Sequence, residues 1–471
     1  MKILFVFTEI NVKFGAYGYQ NGIAILSAYL KSHGYSDIRL CYISPSFTVR
    51  SFRDILSDFK PDIIGFYTTH DQFRFIKKLS LEIQDESAFV LCGGPHATLN
   101  PEIIYELPRL NAVCIGEGEQ SFLELVKILE KKEKPAQIKN LWIRLEKEII
   151  KNAPRCFLEG IDELPFADRK LFSRNKTLHR IGLTQISYKN SFYVSRGCPY
   201  QCSFCSNKEL GASQPGRFLR FRSVDNVLAE IKSAVKEYSP SEIYFQDDTF
   251  AINDGFVNEF CEKYPGQIGI PFEFFAHIGP ATIPILGKLR KAGGRRVSFG
   301  IESGNEKLRK NTLKKSFSNE EVIRIFKEAK KMGYKAEAFV MAGLPEETKE
   351  NFEDTVKLLK TIQPDIYSLS IYFPFKGTEL YEYSVKKGYI VRDFEIPDHF
   401  ISRRDTLLKM PDFSRKEIIR MVGLFGWKIY KDYSLKKAIL FWIYESTFGD
   451  KLLKYAALCK KLLRNFAIGK N

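Results

Sequence analysis

Long apolar runs are missing from this 471-residue chain. The longest, such as Ile63–Tyr67, fall far short of the ~20 residues needed to cross a bilayer. The opening MKILFVFTEI is apolar only briefly, carries Glu9 and has no small-residue cleavage site. It predicts a buried strand rather than a signal peptide. Cysteine is scarce too: nine residues cannot make a disulfide scaffold of this size. Three of the nine fall within eight positions, which in a reducing compartment favours a metal or redox site. The expected location is the cytoplasm. Acidic residues are in deficit, with 56 Asp and Glu against 72 Lys and Arg, a net charge of +16. Most of that excess lies in residues 401–471, where 16 basic residues face 6 acidic ones. Such a tail suits an acidic membrane surface, an anionic substrate, nucleic acid or a solvated helical face. No nucleic-acid-reading module is present, so nucleic acid ranks last.

What is present is β/α alternation, and the length allows two or three domains. Residues 1–130 read as strands at Lys2–Thr8, Ile38–Ile43, Asp62–Tyr67, Phe89–Cys92 and Ala112–Ile115, with helices at Asn21–Gly34, Val49–Phe59 and Gln72–Ile83 between them. This predicts a Rossmann-like open parallel sheet. Residues 131–189 read as a charged, proline-bearing connector with a hairpin at Ile138–Ile150. Residues 190–390 hold six further strand–helix units, with strands at Phe192–Arg196, Glu242–Gln246, Phe272–Ala276, Arg296–Ile301, Ala336–Met341 and Tyr367–Phe373. They predict a partial (β/α)6 barrel with its site at the C-terminal strand ends. Residues 391–471 read as a basic helical region.

The thiols stand in SRGCPYQCSFCSN as Cys198, Cys202 and Cys205, spaced C-x3-C-x2-C at the end of an apolar strand. Three thiolates on one tight loop can hold three irons of a 4Fe–4S cubane, which normally takes four protein thiolates. The fourth iron is then open to a chelating small molecule, and the amino and carboxylate groups of S-adenosylmethionine are suitable. A structural zinc site is the alternative, as is a remote fourth ligand such as Cys156 or Cys261. With Phe204 before the last cysteine, the loop resembles that of the radical S-adenosylmethionine superfamily.

The resemblance continues in order along the chain. It implies contacts to S-adenosylmethionine from Phe204 near adenine, from Asp247 and Asp248 in YFQDDTF, from Glu302 and Ser303 in GIESG, and from Gly343 and Pro345 in AGLPEET. Glu346 stands where the family often has Gly, and Lys376 in PFKGT where it often has Pro. His277 takes the place of an Arg that in many relatives meets the methionine carboxylate. Ahead of the cysteines, PDIIG, CGGPHAT and GEGE resemble the cobalamin-binding domain that precedes the barrel in such enzymes. They imply tail contacts from Thr68, Thr69, Gly93, Gly94, His96, Thr98, Gly116 and Glu117. The D-x-H-x-x-G ligand pattern is absent, so the expected cobalamin is histidine-off.

Together these readings imply a radical enzyme that makes a 5′-deoxyadenosyl radical and transfers a methyl group through methylcobalamin to an unactivated carbon. A cyclisation or rearrangement without methyl transfer is the second reading, and a non-catalytic metal-binding regulator the third. The resemblance also implies an external electron donor such as flavodoxin or ferredoxin. In the tail, Trp427, Ile429, Tyr430, Phe441 and Trp442 beside Lys428, Lys431, Lys436 and Lys437 suggest peripheral contact with the inner face of a membrane and a lipid substrate, or else helices laid over the barrel mouth. Otherwise the substrate is a small molecule.

Overall fold

The computed structural model describes residues 1–10, 19–43, 48–173, 179–181, 184–280, 282–401 and 403–445. The N-terminal sheet contains β1 (Ile3–Thr8), β2 (Ile38–Ile43), β3 (Ile63–Tyr67), β4 (Phe89–Gly93), β5 (Ala112–Cys114), β6 (Leu141–Leu145) and β7 (Glu148–Lys151). Their order is β2-β1-β3-β4-β5-β6-β7. Strands β1 to β5 are parallel, and β1 is buried on both faces, as expected where helices cover a sheet on each side. The chain order reverses between β1 and β3, which opens a crevice at their C-terminal ends. The sheet is mixed rather than wholly parallel. The hairpin expected in the connector is β6–β7, and β6 pairs antiparallel with β5. Asn140 fixes that junction, donating to Glu117 O and accepting from Arg155 N.

A small hairpin, β8 (His179–Ile181) with β9 (Thr184–Ile186), precedes the second sheet. There follow β10 (Ser191–Phe192), β11 (Ser195–Arg196), β12 (Arg220–Phe221), β13 (Ile243–Phe245), β14 (Phe272–Ala276), β15 (Gly294–Glu302), β16 (Lys335–Ala342) and β17 (Ile366–Ile371). Six of them, β10-β13-β14-β15-β16-β17, form a parallel partial barrel. The strand expected over Phe192–Arg196 is split in two. Val194 N and Ser195 N donate to the Asp247 carboxylate instead of to a neighbouring strand. Helices between the strands are locally specified. Asn319–Lys331 begins with a reciprocal Ser318–Glu321 capping box, and Lys349–Ile362 with a Thr348–Asn351 pair. The ladder between β15 and β16 slips at Gly300–Glu302, and Glu302 takes a left-handed φ of 65°. Such a slip re-aims a side chain at a strand end.

The C-terminal helices Arg415–Gly423, Phe425–Tyr430 and Leu435–Glu445 pack on the barrel, while Leu435, Ile439 and Leu440 of the last stay exposed. Ile429 and Tyr430 are fully buried. The Tyr367 ring on β17 stacks on Tyr430 at 5.8 Å and on Phe441 at 4.7 Å. The helices therefore cover the edge strand β17 and the helix Lys349–Ile362, and Ile418 packs beside Gly343 at the C-terminal end of β16. Much of the basic tail, residues 446–471, lies outside the described residues. Among those described, no helix is long and apolar enough to cross a membrane.

Candidate active site

The cysteine loop leaves the barrel through β11, which pairs antiparallel with β12. Gly197 has φ +90°, and a side chain there would meet Phe218 O at 2.6 Å, so only glycine lets the loop turn against that backbone. Asp247 fixes the loop's root, because its buried carboxylate accepts from Val194 N, Ser195 N (2.7 Å) and Ser195 Oγ (2.5 Å). Burial pushes that carboxyl up to about 6, against the pull of these donors. Asp247 is thus committed to holding the loop. Asp248 differs: it opens onto a cavity, and its Oδ2 accepts only from Asn207 at 2.9 Å among the described residues.

The three thiols are half-buried. Burial pushes Cys198 up to about 11 and Cys205 up to about 12, and raises Cys202 as well. Without a metal they stay protonated at neutral pH, and a metal would displace those protons. Cys198 feels the charge of Cys202, Cys205 that of both other thiols, and Cys202 that of Lys315 and Glu302. Cys261 has only Lys288 and Glu262 as charged neighbours, on the barrel's outer helices, and Cys156 is exposed in the connector. Neither stands as a fourth ligand beside the loop.

Lys315 was not anticipated. It is buried, donates to Gly300 O (2.6 Å) and Glu302 Oε1 (3.0 Å), and lies 6.0 Å from the Phe204 ring centre. His277 stacks on Tyr200 of the cysteine loop at 3.8 Å. Burial and then the Lys315 cation push it down to about 4, so it is neutral. The cation in this corner is Lys315, not His277. Ser303 is buried away from the cavity and accepts from Asn305 N. Gly343 (φ +71°) and Pro345 lie on a turn tied by Glu347, whose Oε2 accepts from Gly343 N and Leu344 N. Glu346 has φ +65°, the conformation that explains a glycine preference there. Its carboxylate is held by the Tyr383 and Tyr389 hydroxyls.

One cavity of about 510 Å³ joins the two sheets. Its N-terminal wall includes Gly65, Gly93, Gly94 and Gly116 with Phe5, Leu91, Cys114 and Phe122. Its barrel wall includes Tyr193, Arg196, Gly197, Asn207 and Asp248. Glu117 lines it but is engaged. It accepts from Arg196 Nη1 (2.9 Å) and from Arg220 Nη1 (3.0 Å) and Nη2 (2.6 Å). Burial favours its neutral form, but Arg220 and Arg196 outweigh that and hold it well below the usual range. Arg196 also bonds Glu119 at 2.6 Å. These charges clasp the GEGE loop to the root of the cysteine loop. GEGE and SRGC carry opposite charges, and that complementarity was the signal available in the sequence.

The other four expected tail contacts lie outside the cavity wall. Thr68 donates to Thr69 O, Thr69 to Asp71, and Thr98 Oγ1 accepts from Gly116 N. His96 is buried and stacks on His70 at 4.7 Å, where the domains meet, and His70 Nδ1 accepts from Lys376 N at 3.0 Å.

Fold and loop define a two-domain α/β enzyme whose three-thiol site faces a nucleotide-binding type of sheet edge. Residues 192–359 match the family model of the radical SAM superfamily, and residues 8–126 that of the B12 binding domain. The chain belongs to the radical SAM enzymes that carry a B12-binding domain. A Pyrococcus horikoshii protein named as an uncharacterised methyltransferase is 28% identical over 457 residues, 93% of this chain and 94% of its own length. An anaerobic magnesium-protoporphyrin IX monomethyl ester cyclase of Cereibacter sphaeroides is 27% identical over 381 residues, 76% of this chain and 59% of its own. The solved cobalamin-dependent S-adenosylmethionine radical enzyme OxsB, with aqua-cobalamin and S-adenosylmethionine bound, shares the fold. Its TM-score is 0.67 at 17% identity, covering 99% of this chain and 75% of that one.

Proposed function

We propose that this chain is a cobalamin-dependent radical methyltransferase acting on a small molecule between its two sheets. The observation that carries the reading is a cavity touching both the glycine-rich edge of the first sheet and the cysteine-loop side of the second. The donor sets suit the groups. Cys198, Cys202 and Cys205 would hold three irons of a 4Fe–4S cluster. Phe204, Asp248, Glu302 and Lys315 would hold S-adenosylmethionine, with Asp248 facing its ammonium and Lys315 its carboxylate. Gly65, Gly93, Gly94 and Gly116, between Phe5, Leu91 and Phe122, form a mostly apolar slot for the cobalamin tail. Among the described residues the cavity wall holds no histidine, so the reading needs none as a cobalt ligand. When bound, the cluster supplies the electron that releases the 5′-deoxyadenosyl radical, and the corrinoid supplies the methyl group. The protein's own work is placement. Asp247 holds the loop's root, and the Glu117 clasp sets the distance between the sheets.

The cyclase relative supports the second reading, ring formation without methyl transfer, and one assay separates the two. Anaerobically reconstituted protein is incubated with methyl-deuterated S-adenosylmethionine, reductant and a small-molecule extract. Methyl transfer yields 5′-deoxyadenosine and S-adenosylhomocysteine together, with a deuterated product by mass spectrometry. 5′-Deoxyadenosine without S-adenosylhomocysteine would favour cyclisation or rearrangement. Neither product would leave metal binding alone.

A further inference from the structure

The cysteine loop has two flanks. Arg196, Gly197 and Asn207 face the interdomain cavity. Ser203, between Cys202 and Cys205, instead lies on the wall of a second cleft of about 480 Å³, to which the first domain contributes nothing. Ser203 is strapped in place from both sides. It donates to Leu313 O (3.3 Å) and, through its hydroxyl, to Thr312 O (2.5 Å), and its carbonyl accepts from Leu380 N (2.9 Å). Ser203 adjoins Cys202 directly and is separated from Cys205 only by Phe204, so a short stretch of backbone links this cleft to the thiols.

The segment strapped to Ser203 is strongly basic. Residues 306–316 read EKLRKNTLKKS, five cations against Glu306. Arg309 and Lys315 turn inward and are buried, whereas Lys307, Lys310 and Lys314 are exposed. The cleft's own carboxylates are already matched. Glu379 bonds Lys208 (3.0 Å) and Lys314 (2.5 Å), and Glu346 the Tyr383 and Tyr389 hydroxyls. Lys307 and Lys310 make no ion pair among the described residues. The face beside the loop thus presents unmatched positive charge.

We propose that this cleft is the docking site of a small acidic ferredoxin that reduces the cluster. The proposal rests on the iron–sulfur reading of the loop given above. Reduced ferredoxin loses one electron and the oxidised cluster gains it; no bond is made or broken and no proton moves. The opposite flank is closed to a protein donor, because the first domain is clasped over it through Glu117, Glu119 and Arg196. Charge complementarity selects an acidic partner and steers its approach. Tyr383 is the cleft's single aromatic lining residue, so it offers charge and hydrogen bonds rather than a stacking surface for a flavin.

The test uses the full-length reconstituted enzyme and its double variant Lys307→Glu/Lys310→Glu, both outside the cofactor machinery. Cluster bleaching is followed by anaerobic stopped flow, with reduced ferredoxin, reduced flavodoxin or dithionite. The variant is expected to lose about tenfold in second-order rate with ferredoxin, the low end of electrostatic steering, and nothing with dithionite. The wild-type ferredoxin rate should fall as salt rises. An unchanged ferredoxin rate in the variant, a salt-insensitive wild type, or a loss confined to flavodoxin would overturn the docking site. Wild-type protein that never bleaches with dithionite would instead sink the cluster reading beneath it.

Discussion

The two parallel sheets meet at their C-terminal edges, yet those edges are built from different chemistry. The N-terminal edge is glycine and hydrocarbon: Gly65, Gly93 and Gly116 beside Phe5, Leu91 and Phe122. The barrel edge is ionic and hydrogen-bonded. Asp247 grips β11, Lys315 reaches Glu302, and Asp248 faces the cavity. An apolar, side-chain-poor slot suits the broad neutral face of a nucleotide tail. Matched charges suit a sulfonium amino acid and an iron site. The two edges thus differ as a shape-based and a charge-based surface, and the charge clasp at Glu117 ties them together beside the cavity.

The largest effect should come from Cys202→Ala. Iron content and S-adenosylmethionine cleavage are expected to vanish, while cobalamin retention, measured by absorbance after gel filtration, stays at the wild-type level. Equal loss of cobalamin would show that the edges do not act separately.

Glu117→Gln attacks the joint itself. Removing one partner of a largely buried charge cluster costs about 3 kcal/mol, and Arg196 keeps only Glu119. We expect a lower denaturation midpoint, weaker retention of both cofactors, and faster hydrogen exchange around Arg196 and Arg220. The pH dependence has a definite sign. The folded carboxyl is depressed below its ordinary 4.5, so its stabilisation is complete above that value and fades as pH falls toward the folded value. The wild type should lose this margin on acidification, and Glu117→Gln should have none to lose. Parallel acid curves would count against the clasp.

The asymmetry between the edges also decided what could be read from the sequence. The three thiols were legible because their chemistry is set by spacing within eight residues. The six barrel strands were legible from their apolar runs, and helix Val49–Phe59 matches its expected bounds. What depends on distant partners was not. Lys315 in KNTLKKSF looks like a surface lysine until β15 and the cysteine loop close over it. Thr68, Thr69 and Thr98 looked free to meet a ligand, but hydroxyls at strand ends find nearby backbone or carboxylates first. The β6–β7 hairpin was visible as a hairpin, and its place on the sheet edge was not, because edge pairing is a tertiary choice.

The smallest expected effect concerns a carboxyl on the barrel edge that carries no charge, an exception within that ionic edge. Glu347 is buried, its Oε2 accepts from Gly343 N and Leu344 N, and its Oε1 has no partner among the described residues. Burial pushes it up to about 8 against those two donors. Between its ordinary 4.5 and about 8 the folded chain holds a proton that the unfolded chain has released, so stability falls as pH rises through this window. Glu347→Gln is neutral in both states and removes that dependence. Its melting temperature relative to wild type should be near unchanged at about pH 5 and higher by a few degrees at about pH 8. A difference that stayed constant across the range would mean the turn holds an ionised carboxylate, and that the barrel edge is ionic throughout.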